Sequence, residues 1–168
     1  TGNYDPSNDS YKGTYYSSIG ADLTGNALVK KLGDLISSTH KSKSYGDLWT
    51  AYRTTDVRPG TNKIWDMYST CDYTVGSDQC GNYNGEGSCY NREHTVPQSW
   101  FSEASPMKSD VFHVIPTDGY VNGWRSSFPF GEVSSASKTS SNGSKLGPSS
   151  VSGISGTVFE PIDEYKGD

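Results

Sequence analysis

Residues 89–101, Cys-Tyr-Asn-Arg-Glu-His-Thr-Val-Pro-Gln-Ser-Trp-Phe, and residues 110–126, Asp-Val-Phe-His-Val-Ile-Pro-Thr-Asp-Gly-Tyr-Val-Asn-Gly-Trp-Arg-Ser, carry the reading of the fold. The first run predicts a short strand over Tyr90–Thr95, followed by a loop through Pro97 and Pro106. The second predicts a strand over Val111–Ile115 that Pro116 ends. A helix then runs from Asp118 to about Ser126, with Thr117 able to cap it and Pro129 as its breaker. On that helix Asp118, Asn122 and Arg125 lie four and three residues apart and share a face. Val121 and Trp124 fall on the face expected to pack against the two strands.

Outward from this unit the signals are weaker. Residues 1–18 lack a period and read as a loosely docked arm. Leu28, Leu32, Leu35 and Ile36 recur at helical spacing, predicting a helix over about 25–39 that Thr24 or Asn26 can cap. Leu48, Trp49 and Tyr52 predict a shorter helix ending near Thr54. Ile64–Tyr68 reads as a buried strand, and residues 69–90 as a glycine- and asparagine-rich loop. Ser134–Ser155 reads as low-complexity loop, in which Lys138 and Lys145 are solvated, and apolar strand character returns at Val158–Ile162. Trp49, Trp65, Trp100 and Trp124 are assigned to the core.

The chain has 168 residues, 32 % hydrophobic and 20 % charged, with 19 glycines. That predicts a single domain over 1–168 with long loops, and excludes a coiled coil or a regular helical bundle. No run of 18 apolar residues could span a membrane. A net charge of −5 argues against a protein that coats nucleic acid, so any polyanion site must be local. The chain begins at Thr1 with neither Met nor a signal-type run, which points to processing or trimming. Cys71, Cys80 and Cys89 lie nine apart, unlike the paired ligands of structural zinc sites. One disulfide plus a free thiol is expected, and with it a secreted or periplasmic protein.

The chemistry concentrates at Glu93, His94, Asn122 and Arg125. An imidazole can take a proton from water near neutral pH. A carboxylate and an amide oxygen suit a hard cation such as Mg²⁺, and a guanidinium can grip a phosphate. Together these are the parts that phosphodiester hydrolysis needs. His40, at a helix end beside Lys41, reads as a surface residue, and His113, inside an apolar strand, as a structural or supporting one. Asp118 reads as a helix N-terminal residue that offsets the dipole, and Arg125 could alternatively pair with it.

The same residues carry a resemblance. Arg92-Glu93-His94-Thr95-Val96-Pro97, Asp110–Pro116 and Val121-Asn122-Gly123-Trp124-Arg125-Ser126 resemble the endonuclease I family of exported, non-specific nucleases, members of the His-Me (ββα-metal) finger superfamily. The likeness extends more faintly over Leu28–Trp49, Ile64–Ser69 and Phe159–Asp168. It implies an α+β fold in which a ββα-metal finger, about 89–130, packs against N-terminal helices amid long loops. It further implies His94 as general base, Glu93 and Asn122 as ligands of one Mg²⁺ (with Ca²⁺ or Mn²⁺ as substitutes), 5′-phosphate products, and DNA and/or RNA as substrate. Arg125 takes a phosphate role by the same alignment. Relatives continue past Tyr165-Lys166-Gly167-Asp168, so a shortened chain is expected, with an exposed C-terminal patch covered by a dimer or a partner.

Glu93 and His94 are adjacent, and in a regular strand they point to opposite faces, so serving one phosphate requires the strand to end or bulge there. The competing reading is an exported module that grips carbohydrate or protein and uses Glu93 and Asn122 for structural Ca²⁺. Nicking of supercoiled plasmid with Mg²⁺, abolished by chelator, separates the two.

Overall fold

The computed structural model describes residues 13–167, so most of the expected N-terminal arm and the terminal Asp168 lie outside the described residues. The chain divides into two compact units, with the boundary between Lys41 and Ser42. The first holds helix α1, Gly25–Thr39, close to the expected span. Its Leu28, Leu32 and Leu35 stripe is half-buried, Ile36 is exposed, and Thr24 stands at the N-cap without a side-chain capping bond.

The second unit holds helix α2 (Leu48–Thr55), strands β1 (Tyr90–His94) and β2 (Val114–Asp118), helix α3 (Gly119–Arg125) and strands β3 (Lys138–Thr139), β4 (Lys145–Pro148) and β5 (Thr157–Glu160). This is an α+β arrangement with two small antiparallel sheets, β1-β2 and β3-β4-β5. The β1-β2 register sets Glu93 opposite Ile115 and His94 opposite Val114. Helix α2 packs behind this hairpin: Leu48 and Tyr52 are fully buried with Ile64, Tyr73, Tyr90 and Val114, and the Tyr52 hydroxyl donates to the Val114 carbonyl.

Several expectations are corrected. The second strand starts three residues later than read and includes Pro116. In a two-stranded sheet β2 has a free edge, so a missing N–H is tolerated there. Ile64–Tyr68 is no strand beyond a bridge at Ile64, because the Asp66 side chain takes the Tyr68 N–H and turns the chain. The serine-rich tract is no mere loop but builds β3 and β4. There Asn142 gathers the Ser140 and Ser144 hydroxyls on its Oδ1 and donates to the Met67 carbonyl, supplying in polar bonds what the tract lacks in apolar bulk. Finally, Trp124 is buried and Trp49 partly so, but Trp65 and Trp100 are 41 % and 60 % exposed.

Helix α3 lies between the two sheets, and its faces are the reverse of the expected ones. Val121 and Trp124 pack with Tyr68, Leu146 and Phe159, toward the second sheet. The polar face meets β1: Asn122 donates to the Arg92 carbonyl and Arg125 to those of His94 and Thr95. Asp118, not Thr117, caps the helix, accepting the Val121 N–H at 2.8 Å. As expected, one disulfide forms, Cys80–Cys89, and Cys71 stays free. The loop it closes grips the start of α3, since Gly119 donates to the Cys89 carbonyl and Gly87 to the Asp118 carboxylate.

Candidate active site

His94 ends β1, and its ring is walled by Tyr45, Phe101 and His113, at centroid distances of 5.8, 6.3 and 6.0 Å. Its Nε2 lies 3.0 Å from the Lys108 carbonyl oxygen. A carbonyl only accepts, so Nε2 carries the proton and the neutral ring keeps Nδ1 as its basic nitrogen. Burial pushes the imidazole below its usual range, which keeps the ring neutral at pH 7. Such a ring can accept a proton but has none to spare for an acid's role.

Glu93, one residue earlier, is 2 % exposed. The Tyr68 hydroxyl donates to its Oε1 at 2.9 Å, and Arg125 Nη1 lies 3.2 Å from the same oxygen. Burial raises the carboxyl to about 7, with Arg125 and the Tyr68 bond opposing the rise. Asn122 is half-buried and donates through Nδ2 to the Arg92 carbonyl at 3.3 Å, so its oxygen is the group left to accept. The hairpin and helix thus set a carboxylate and an amide beside the end of β1. Among the described residues no group of three or more His, Cys, Asp or Glu side chains could hold a metal ion by itself. Two hard oxygen donors, one outside both contacts on the Glu93 carboxylate, nevertheless fit a cation that keeps most of its water, as Mg²⁺ does.

Arg125 is not the open phosphate grip expected of it. It is 1 % exposed, and its two Nη atoms go to Glu93 and to the carbonyls of His94, Thr95 and Ser126, while its buried Nε has no partner among the described residues. Nor does it pair with Asp118, whose carboxylate is taken by the Val121 and Gly87 N–H groups and the Tyr73 hydroxyl. The strand does end at His94, and without a bulge in the register. Glu93 and His94 accordingly have separate neighbours, joined through Arg125, which binds the carboxylate of one and the backbone of the other.

His40 is exposed at the end of α1, whereas His113 faces the His94 ring. Lys138 sits on β3 near the Tyr120 and Trp124 rings, and Lys145 pairs with Glu160 at 3.5 Å. Sequence reasoning missed Tyr68 and the Lys108 carbonyl. A tyrosine in an apolar run gives no sign of where its hydroxyl points, and a backbone oxygen gives no sign at all. Beside the site opens a cleft of about 1060 Å³, with Tyr68, Thr95 and Arg125 in one wall and Trp100, Phe112 and Phe130 among its exposed aromatics.

A two-stranded hairpin and the following helix thus bring an imidazole with a basic Nδ1, a buried carboxylate and an amide to one region of the second unit. A model of the family Endonuclease I matches residues 24–168, and the chain belongs to that family. It is 30 % identical over 158 residues to an extracellular ribonuclease of Bacillus amyloliquefaciens and 29 % identical over 160 residues to an extracellular ribonuclease of Bacillus subtilis. In both cases the match covers 92 % of this chain and 49 % of the relative, so the chain spans about half the length of these curated relatives. No solved structure matches it significantly. Among the described residues, no helix is long and apolar enough to cross a membrane.

Proposed function

We propose that this chain is an exported, metal-dependent endonuclease that hydrolyses phosphodiester bonds of DNA and/or RNA without sequence preference, leaving 5′-phosphate ends, on a ββα-metal (His-Me) finger. The observation that carries the reading is the His94 ring, held by the Lys108 carbonyl in the tautomer that leaves Nδ1 basic, one residue from the buried Glu93. Membership of a nuclease family and likeness to two proteins named extracellular ribonucleases support both the reaction and RNA as a substrate.

In this mechanism His94 Nδ1 takes a proton from the attacking water, and the Lys108 carbonyl holds the Nε2 proton throughout. Glu93 and Asn122 would hold one Mg²⁺. When bound there, the ion supplies positive charge that offsets the negative charge building on the phosphate and the departing 3′ oxygen. Arg125 keeps the carboxylate of Glu93 and the backbone of His94 in fixed relation. With a net charge of −5, substrate binding depends on a few local cations.

The test is cleavage of supercoiled plasmid and of single-stranded RNA by the purified chain, with Mg²⁺ and with chelator. Cleavage that stops on chelation is expected. His94→Ala should cost roughly 10²–10⁴ in rate, while Glu93→Ala and Asn122→Ala raise the Mg²⁺ concentration needed for half activity. Near wild-type cleavage by the His94→Ala protein would overturn the assignment.

A further inference from the structure

We propose that Tyr68 is a positioning residue that sets the divalent-cation affinity of Glu93, by holding Oε1 and leaving Oε2 as the donor; this rests on the reading of Glu93 as a metal ligand. Tyr68 is 2 % exposed, and the hydrogen bond recorded for its hydroxyl is the one it donates to Glu93 Oε1 at 2.9 Å. Arg125 approaches that same oxygen at 3.2 Å. A single donor leaves Oε1 free to swing about the last side-chain bond, whereas two donors reaching that oxygen from separate stretches of the chain pin it and with it the carboxylate plane. A phenol does this without adding charge. A second cation in its place would compete with the metal for the carboxylate.

The position of Tyr68 is itself set by the helix that bears Asn122. Its backbone N–H donates to Asp66 Oδ1 at 2.8 Å, while Asp66 Oδ2 accepts the N–H of Asp118, the N-cap of α3, at 3.0 Å. One buried carboxylate therefore ties the backbone of Tyr68 to the start of α3. The ring packs on Phe159 of β5, with centroids 4.6 Å apart. Glu93 and Asn122 are in this way referred to a common frame. Packing alone would be served by phenylalanine, so the hydroxyl is the atom whose role the test isolates.

Mn²⁺ titration into metal-free protein, followed by calorimetry, provides that test. Tyr68→Phe should weaken Mn²⁺ binding about 10-fold, the lower end of what loss of a hydrogen-bond partner to a metal ligand costs. Tyr52→Phe removes an equally buried hydroxyl, bonded to the Val114 carbonyl, and should leave Mn²⁺ binding unchanged. Equal affinity of the Tyr68→Phe and wild-type proteins, or an equal loss in both variants, overturns the proposal alone. Absence of Mn²⁺ binding by the wild type overturns it together with the metal-ligand reading. Should Tyr68→Phe fail to fold, 3-fluorotyrosine placed at position 68 keeps the hydroxyl. Its ¹⁹F signal should then shift as Mg²⁺ saturates the protein, and an unmoved signal at saturation overturns the proposal.

Discussion

Arg125 shows how far a residue's chemistry can be known before its role. Sequence offers a cation at a helical spacing that could reach a phosphate, but burial is a property of the packed fold and no spacing reports it. In the structure the guanidinium neutralises a buried carboxylate and closes three carbonyls. Arg125→Met should therefore be first a stability variant, losing about 3–5 kcal/mol because the buried Glu93 loses its cation and three carbonyls lose their donor. Urea unfolding measures this, and adding Glu93→Gln should recover part of the loss. A stable Arg125→Met protein that binds substrate poorly would restore the phosphate role. That Glu93, His94 and Asn122 stand on one hairpin and the helix that follows it was legible because the motif is local in sequence. The Tyr68 hydroxyl on Glu93 was not, since 25 residues separate them.

At the scale of elements, α3 was legible to within a residue at each end, yet its faces were misassigned. A helix with one polar and one apolar stripe tells which residues share a side but not which neighbour each side meets. The misassignment followed from overlooking the second sheet, whose strands are short and two of which, β3 and β4, lie within the serine- and glycine-rich tract. The disulfide loop supplies the third contact of α3, and its tolerance is readable from two glycines. A Cβ at Gly119 would lie 2.4 Å from Cys80 Sγ, inside a closed loop, whereas one at Gly123 would meet the far end of the Tyr83 side chain at 2.6 Å. Gly119→Ala should cost about 1–3 kcal/mol by overpacking. Gly123→Ala should be neutral or stabilising by up to about 1 kcal/mol through helix propensity, because the phenol can swing away. Paired thermal melts decide both.

Across the described residues, the buried interior holds polar groups beside apolar ones. Leu48, Ile64, Val114, Val121 and Phe159 are fully buried, but so are Glu93, Thr117, Asp118 and Arg125, each to within 2 %. Asp66 joins Tyr68, Ser69 and Asp118, and burial raises its carboxyl to about 6 from 3.8, partly opposed by those hydrogen bonds. A carboxyl raised in the folded state binds its proton more tightly there than in the unfolded chain. Its contribution is fully present below pH 3.8 and is lost as pH rises through 6. His94 and His113 are depressed and act with the opposite sign, so the difference between two proteins is the clean measurement. The stability of wild type relative to Asp66→Asn should fall as pH rises from about 4 to 6 and level off above. A difference independent of pH, in urea midpoints taken across that range, would exclude the raised carboxyl.

Phe159 belongs to one of the last elements in chain order, and its ring lies against Tyr68, Trp124 and Phe130. During synthesis, hairpin and helix emerge some thirty residues before it. The frame behind Glu93 therefore closes only when β5 has left the exit tunnel. The candidate site stays unfinished until β5 joins it, whatever the hairpin and helix have already formed.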